Sequence, residues 1–140
     1  RGATILLARG NVGCGSSREH AVWALRDYGL KAVLAPSFGD IFRQNCSLDG
    51  VAAIKLAATD VDMLFAMAQA RVLNVTLDLL AGRLQADAQS FGFSLSQREL
   101  RLLTQDGDWI AATLVHRPAI AAFEAARLAR QPWLAKSLGN

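Results

Sequence analysis

Short apolar runs, separated by glycine, proline and turn residues, set the rhythm of this chain and predict strands alternating with helices. Residues 3–8 (ATILLA) form an apolar run of strand length, too short for a helix. Residues 31–35 (KAVLA), closed by Pro36, and 51–56 (VAAIKL) read the same way. Between the first two the period turns helical through Ala21, Val22, Trp23, Ala24 and Leu25, with Gly29 where a helix C-terminal glycine belongs. Ser37 is placed to cap a short helix over residues 38–45, and Asp49-Gly50 makes a turn. Thr59-Asp60 then opens a helix carrying Val61, Leu64, Phe65, Met67 and Ala68. Such alternation predicts a parallel α/β layer.

From residue 73 the pattern changes. Residues 73–79 (LNVTLDL) alternate apolar and polar, 81–83 (AGR) turn, and 84–86 return, which is a hairpin. Residues 91–95 (FGFSL) add a further strand, 96–104 a short helix and 109–114 a last strand. A final helix spans 118–130, with Pro118 in its first turn. It sets Arg117, Glu124, Arg127 and Gln131 on one side, with Ile120, Phe123, Ala126 and Leu128 away from it, as in an amphipathic surface helix. No repeat, low-complexity tract or linker divides the chain, and 140 residues suffice for one core, so residues 1–140 are expected to form a single domain.

The chemistry concentrates in Gly10-Asn11-Val12-Gly13-Cys14-Gly15-Ser16-Ser17-Arg18-Glu19-His20. A strand, a glycine loop and a helix, in that order, bring backbone N–H groups and the positive end of a helix dipole toward a carboxylate or phosphate. Ser16 and Glu19 have capping-box spacing, which puts the helix start near Ser17. Taken by themselves, Ser16, Ser17 and Arg18 are a helix cap with a surface cation, or an anion site. His20 reads as a packing or local hydrogen-bonding residue in the helix's first turn.

Charge and cysteine usage narrow the classes. The net charge is +3, from 15 Lys+Arg against 12 Asp+Glu, and no polybasic run or aromatic ladder accompanies it, which argues against nucleic-acid binding. No apolar run approaches the ~20 residues of a membrane span and no secretory leader pattern opens the sequence, so a cytoplasmic address is expected. The two cysteines, Cys14 and Cys46, make neither a C-x-x-C pair nor the ligand set of an iron–sulfur cluster. Both are expected to be small reduced fillers; a nucleophilic Cys14/His20 pair is the sharper alternative, without an evident third group to orient it. A dinucleotide or nucleotide site fits poorly, because the glycines run G-x-x-G-x-G, no Gly-Lys-Ser/Thr follows, and the second strand ends Ala35-Pro36-Ser37 without an acidic residue for a ribose.

Gly13-Cys14-Gly15-Ser16-Ser17-Arg18-Glu19-His20-Ala21, then Trp23-Ala24-Leu25, Asp27-Tyr28-Gly29, Ala35-Pro36-Ser37-Phe38, Asp40-Ile41-Phe42 and Asn45-Cys46, resembles the small subunit of 3-isopropylmalate dehydratase, itself similar to the swivelling domain of aconitase. His116, residues 119–125 (AIAAFEA) and Pro132-Trp133-Leu134 resemble the C-terminal helix and tail of bacterial members. Residues 96–108 (SQRELRLLTQDGD) depart from the family's Arg-rich segment ending in Leu-Leu-Asn-Gly. The family's upstream segment, with an Asp-Thr-Asp motif and a substrate-selecting loop, is not in the sequence, which reads as a piece of a longer polypeptide or a shortened relative.

The resemblance implies a swivelling β/β/α-type domain, a mainly parallel sheet flanked by helices with an added hairpin. It also implies a hydro-lyase that isomerises 2-isopropylmalate to 3-isopropylmalate by dehydration and rehydration in leucine biosynthesis. Ser16 would be the base that takes a proton beside a substrate carboxylate, while Ser17 and Arg18 would hold carboxylates. A large subunit would carry a 4Fe–4S cluster whose open iron polarises the leaving hydroxyl, and the present chain alone would be inactive. Homocitrate- or citramalate-type hydro-lyases, or a catalytically silent relative, are the rival readings.

Overall fold

The computed structural model describes residues 2–15, 18–104 and 116–133. The chain divides into two compact units, Arg1–Gly107 and Asp108–Asn140. The first contains β1 (Ile5–Leu7), α1 (His20–Asp27), β2 (Ala32–Ala35), α2 (Asp40–Leu48), β3 (Ala52–Lys55), α3 (Ala58–Ala70), β4 (Val75–Asp78), β5 (Arg83–Ala86), β6 (Gln89–Gly92) and α4 (Gln97–Thr104). In the second, α5 spans Arg117–Arg130 with Pro118 in its first turn, and no residue of it is buried. The strand expected over residues 109–114 lies outside the described residues.

Strands β1, β2 and β3 form a parallel sheet in that order. Two crossovers stepping in one direction across a parallel sheet place their helices on one face, because each connection has the same hand. The core shows it: Val33 and Ala53 point into a cluster with Val22 of α1 and Phe42 and Cys46 of α2. Their neighbours Ala32, Leu34, Ala52 and Ile54 point the opposite way, into a larger cluster with Val61 and Leu64 of α3 and Leu84, Ala86 and Phe91. With both faces covered, β2 is buried at every position, which is why its sequence is continuously apolar. Fully burying Leu34, Ile54, Leu64 or Leu84 stabilises the fold by about 2 kcal/mol each.

Strands β4, β5 and β6 form an antiparallel meander, so the added hairpin has a third strand. Leu84 pairs with Leu77 on one side and Phe91 on the other, and β5 alternates exposed and buried positions. The β4–β5 turn is tied by the Asp78 carboxylate, which accepts the Ala81 N–H at 2.8 Å. Gly82 has φ +62° and lies so close to the Phe93 carbonyl that no β-carbon fits. Strand β6 begins at Gln89, before the apolar residues that predict it, because Asp87 takes a left-handed conformation (φ 50°) and turns the chain early.

Helix ends follow local chemistry, with two corrections to expectation. At the end of α1, Gly29 has φ +98°, its N–H meets the Arg26 carbonyl at 2.8 Å and the Leu30 N–H meets the Leu25 carbonyl at 3.0 Å, a Schellman-type close. The start of α1 falls at His20 rather than near Ser17; Glu19 is its N-cap and makes no side-chain capping bond. Helix α2 begins at Asp40 after the N-cap Gly39, so Ser37 does not cap it. A capping box forms on α4, where the Glu99 carboxylate accepts the Ser96 N–H at 2.8 Å and the Ser96 hydroxyl accepts the Glu99 N–H at 3.2 Å; the box expected at Ser16 and Glu19 falls partly outside the described residues. Among the described residues, no helix is long and apolar enough to cross a membrane.

Candidate functional site

The glycine loop leaves the C-terminal end of β1 and is seated on the β2–α2 connection. Asn11 takes a left-handed backbone (φ 63°), which asparagine tolerates better than most residues. Its N–H donates to the Ser37 hydroxyl at 2.7 Å, and that hydroxyl faces the Asn11 side-chain oxygen at 3.3 Å. Val12 bridges Phe38 in parallel fashion: the Val12 N–H meets the Ser37 carbonyl at 3.1 Å and the Gly39 N–H meets the Val12 carbonyl at 2.8 Å. The loop therefore extends the parallel pairing of β1 and β2 beyond the strands themselves.

Next comes a turn closed by the Cys14 N–H on the Asn11 carbonyl at 3.3 Å, with Gly13 at φ +77° in its third position, as a type II turn requires. The Phe42 ring packs against Gly13, and Gly39 lies against the Gly13 carbonyl and the Cys14 backbone. Two glycines thus permit a close approach of two loops, with Phe42 buried beneath and stacked on Phe38 at 6.4 Å between ring centroids.

Of the residues expected to carry chemistry, Ser16 and Ser17 lie outside the described residues. Arg18 is exposed, and its carbonyl accepts the Ala21 N–H at 3.4 Å in the turn that leads into α1. The His20 ring stands 4.7 Å from that of Trp23, tilted by 55°, a local packing contact of the kind expected. The cysteines part company. Cys46 is sealed in the core, and burial first, with the nearby Asp49 carboxylate second, pushes its thiol up to about 12. Cys14 is exposed on the loop, so it is not the filler that the sequence predicts. Sequence reasoning missed Asn11 and Ser37 as a pair; a residue type suited to left-handed backbone beside two glycines was the available signal.

A second polar cluster joins α2 to α4. Arg43 Nε lies 2.8 Å from a Glu99 carboxylate oxygen, shielded from solvent, and the ion pair ties α2 to α4. Burial works to raise the Glu99 pKa; bonds from the Ser96 hydroxyl and N–H, with the Arg43 guanidinium beside it, prevail and hold it below the usual carboxylate value. The groove here, about 540 Å³, includes Asp40, Ser47 and Arg98 but no residue of the glycine loop. Within it, Arg43 and Glu99 compensate each other's charge. Among the described residues, no group of three or more His, Cys, Asp or Glu is placed to hold a metal ion.

Comparison with known proteins agrees with this geometry. The family model for the aconitase C-terminal domain matches residues 1–59, which contain the parallel sheet and the loop. The model for the C-terminal domain of the 3-isopropylmalate dehydratase small subunit matches residues 110–137. The crystal structure of a 3-isopropylmalate dehydratase from Methanocaldococcus jannaschii is similar with a TM-score of 0.63 and 27% identity, over 86% of this chain and 68% of that one. The fold, a parallel sheet with an antiparallel meander, is similar to that of this dehydratase, and the half that bears the loop is similar to the aconitase C-terminal domain. Both this structure and the match over residues 110–137 make the chain similar to small subunits of 3-isopropylmalate dehydratase.

Proposed function

We propose that this chain is the small subunit of a hydro-lyase that interconverts 2-isopropylmalate and 3-isopropylmalate by dehydration and rehydration in leucine biosynthesis. The observation that supports the reading is the glycine loop clamped on the β2–α2 connection, in a chain whose residues 1–59 match the aconitase C-terminal domain and whose residues 110–137 match the C-terminal domain of the 3-isopropylmalate dehydratase small subunit. Ser16 takes the proton from the carbon beside a substrate carboxylate, while Ser17 and Arg18 bind carboxylates. A serine hydroxyl is a poor base in water, and a guanidinium with helix N–H groups nearby stabilises its alkoxide. Arginine suits the binding task because its planar fork bonds both oxygens of one carboxylate.

A 4Fe–4S cluster does not fit this chain, because it needs three or four thiolates and the sequence has two cysteines, one of them sealed in the core. We assign the cluster, and assistance to the departing hydroxyl, to a large subunit in the cytoplasm. The present chain closes the pocket and supplies the base and the carboxylate grip.

Mixing the purified chain with a large subunit and following absorbance of the unsaturated intermediate tests this. The expected result is turnover only when both are present. Turnover by the large subunit alone at the same rate contradicts it.

A further inference from the structure

A second groove, about 550 Å³, shares Arg43 and Ser94 with the α2–α4 groove and opens at the C-terminal end of β3. Strand β3 is buried at three positions and then ends on the exposed Lys55. Arg43 and Lys55 are the charged residues of the groove, and none of those lining it is Asp or Glu. Lys55 has no hydrogen bond or ion pair among the described residues. Arg43 meets Glu99 through Nε, but a guanidinium has five N–H donors, so one carboxylate contact leaves others to face the groove. The Ser94 hydroxyl is equally uncommitted among the described residues. Beside these polar groups, buried Leu56 and half-buried Phe93 form an apolar wall.

We propose that this groove binds a small organic anion, a carboxylate on a short aliphatic body. The planar fork of Arg43 suits a carboxylate, Lys55 adds a point charge, and Ser94 can donate a further hydrogen bond. Leu56 and Phe93 would cover the aliphatic part. The volume is that of a small-molecule site, and the carboxyl ends of parallel strands are where open α/β sheets receive ligands. No residue of the glycine loop lines the groove, so the inference stands apart from the roles proposed for residues 16–18.

The test is a titration of the full 140-residue chain with isovalerate, with isovaleramide and with inorganic phosphate, followed by backbone amide NMR shifts. Isovalerate has a carboxylate on a branched aliphatic body, and isovaleramide has the same shape without the charge. Isovalerate is expected to give saturable shifts at Ala57, Gly92 and Ser94, with isovaleramide about fivefold weaker or more, the worth of an exposed charge pair. Lys55→Gln is expected to weaken isovalerate by about the same factor, and Lys55→Arg, which keeps the charge, to retain most of the affinity. Equal binding of isovaleramide, or unchanged isovalerate affinity in Lys55→Gln, overturns a site built on charge. Saturable shifts with phosphate alone overturn the carboxylate assignment. Absence of saturable shifts at these residues with all three probes overturns the groove as a binding site.

Discussion

The Phe42 ring occupies the space where a side chain on Gly13 would begin. A β-carbon at position 13 would fall within the envelope of the Phe42 Cβ, Cγ and Cδ2 atoms, and the residue's φ of +77° already lies where side chains are strained. The two penalties add. The left-handed backbone contributes about 1–2 kcal/mol and the overlap about 1–3 kcal/mol, so Gly13→Ala is expected to destabilise the protein by roughly 2–5 kcal/mol. Chemical denaturation of the two proteins measures it, and a difference under about 0.5 kcal/mol refutes the packing described.

The two cysteines give a second prediction, read by thiol labelling. Cys46 is fully buried with its pKa pushed up to about 12, and thiolate is the reactive form. Cys14 is exposed. A maleimide at neutral pH is expected to label one thiol per native chain, at Cys14, and the second only after denaturation. Fast labelling of both in the native protein contradicts the placement of Cys46.

Much of the first unit was legible because its signals are local. Uninterrupted apolar runs flagged β1, β2 and β3, and Gly29 flagged the close of α1, since a left-handed C-terminal residue has few chemical solutions. Serines were harder. The spacing Ser-x-x-Glu occurs at Ser16/Glu19 and again at Ser96/Glu99; α4 has the reciprocal bonds, while Ser16 lies outside the described residues and α1 starts after Glu19. A capping signature states what a serine can do, and tertiary partners decide what it does. Ser37 makes the point: its position suits a cap, and the approach of Asn11, 26 residues away in sequence, claims its hydroxyl. The roles proposed for Ser16, Ser17 and Arg18 come only through family resemblance, because a cap and an anion site share one residue vocabulary.

Glu99 links α4 to α2 and gives the protein a pH-dependent contribution. Its folded pKa lies below the unfolded value of about 4.3, so its stabilisation is complete above that value and fades as pH falls through the folded pKa. At neutral pH, Glu99→Ala removes the capping box and leaves the partly buried Arg43 without its counter-charge, a loss of about 1–2 kcal/mol. The gap between wild type and variant is expected to narrow on acidification below pH ~4. A gap that widens there has the wrong sign for this arrangement.

The most direct measurement is the turnover of Ser16→Ala assembled with the large subunit, set against wild type at saturating 2-isopropylmalate. General-base catalysis contributes on the order of 10²–10⁴-fold, so the variant is expected to bind its partner normally and to lose at least a hundredfold in kcat. Undiminished kcat in a correctly assembled Ser16→Ala complex contradicts the claim that this chain delivers the base.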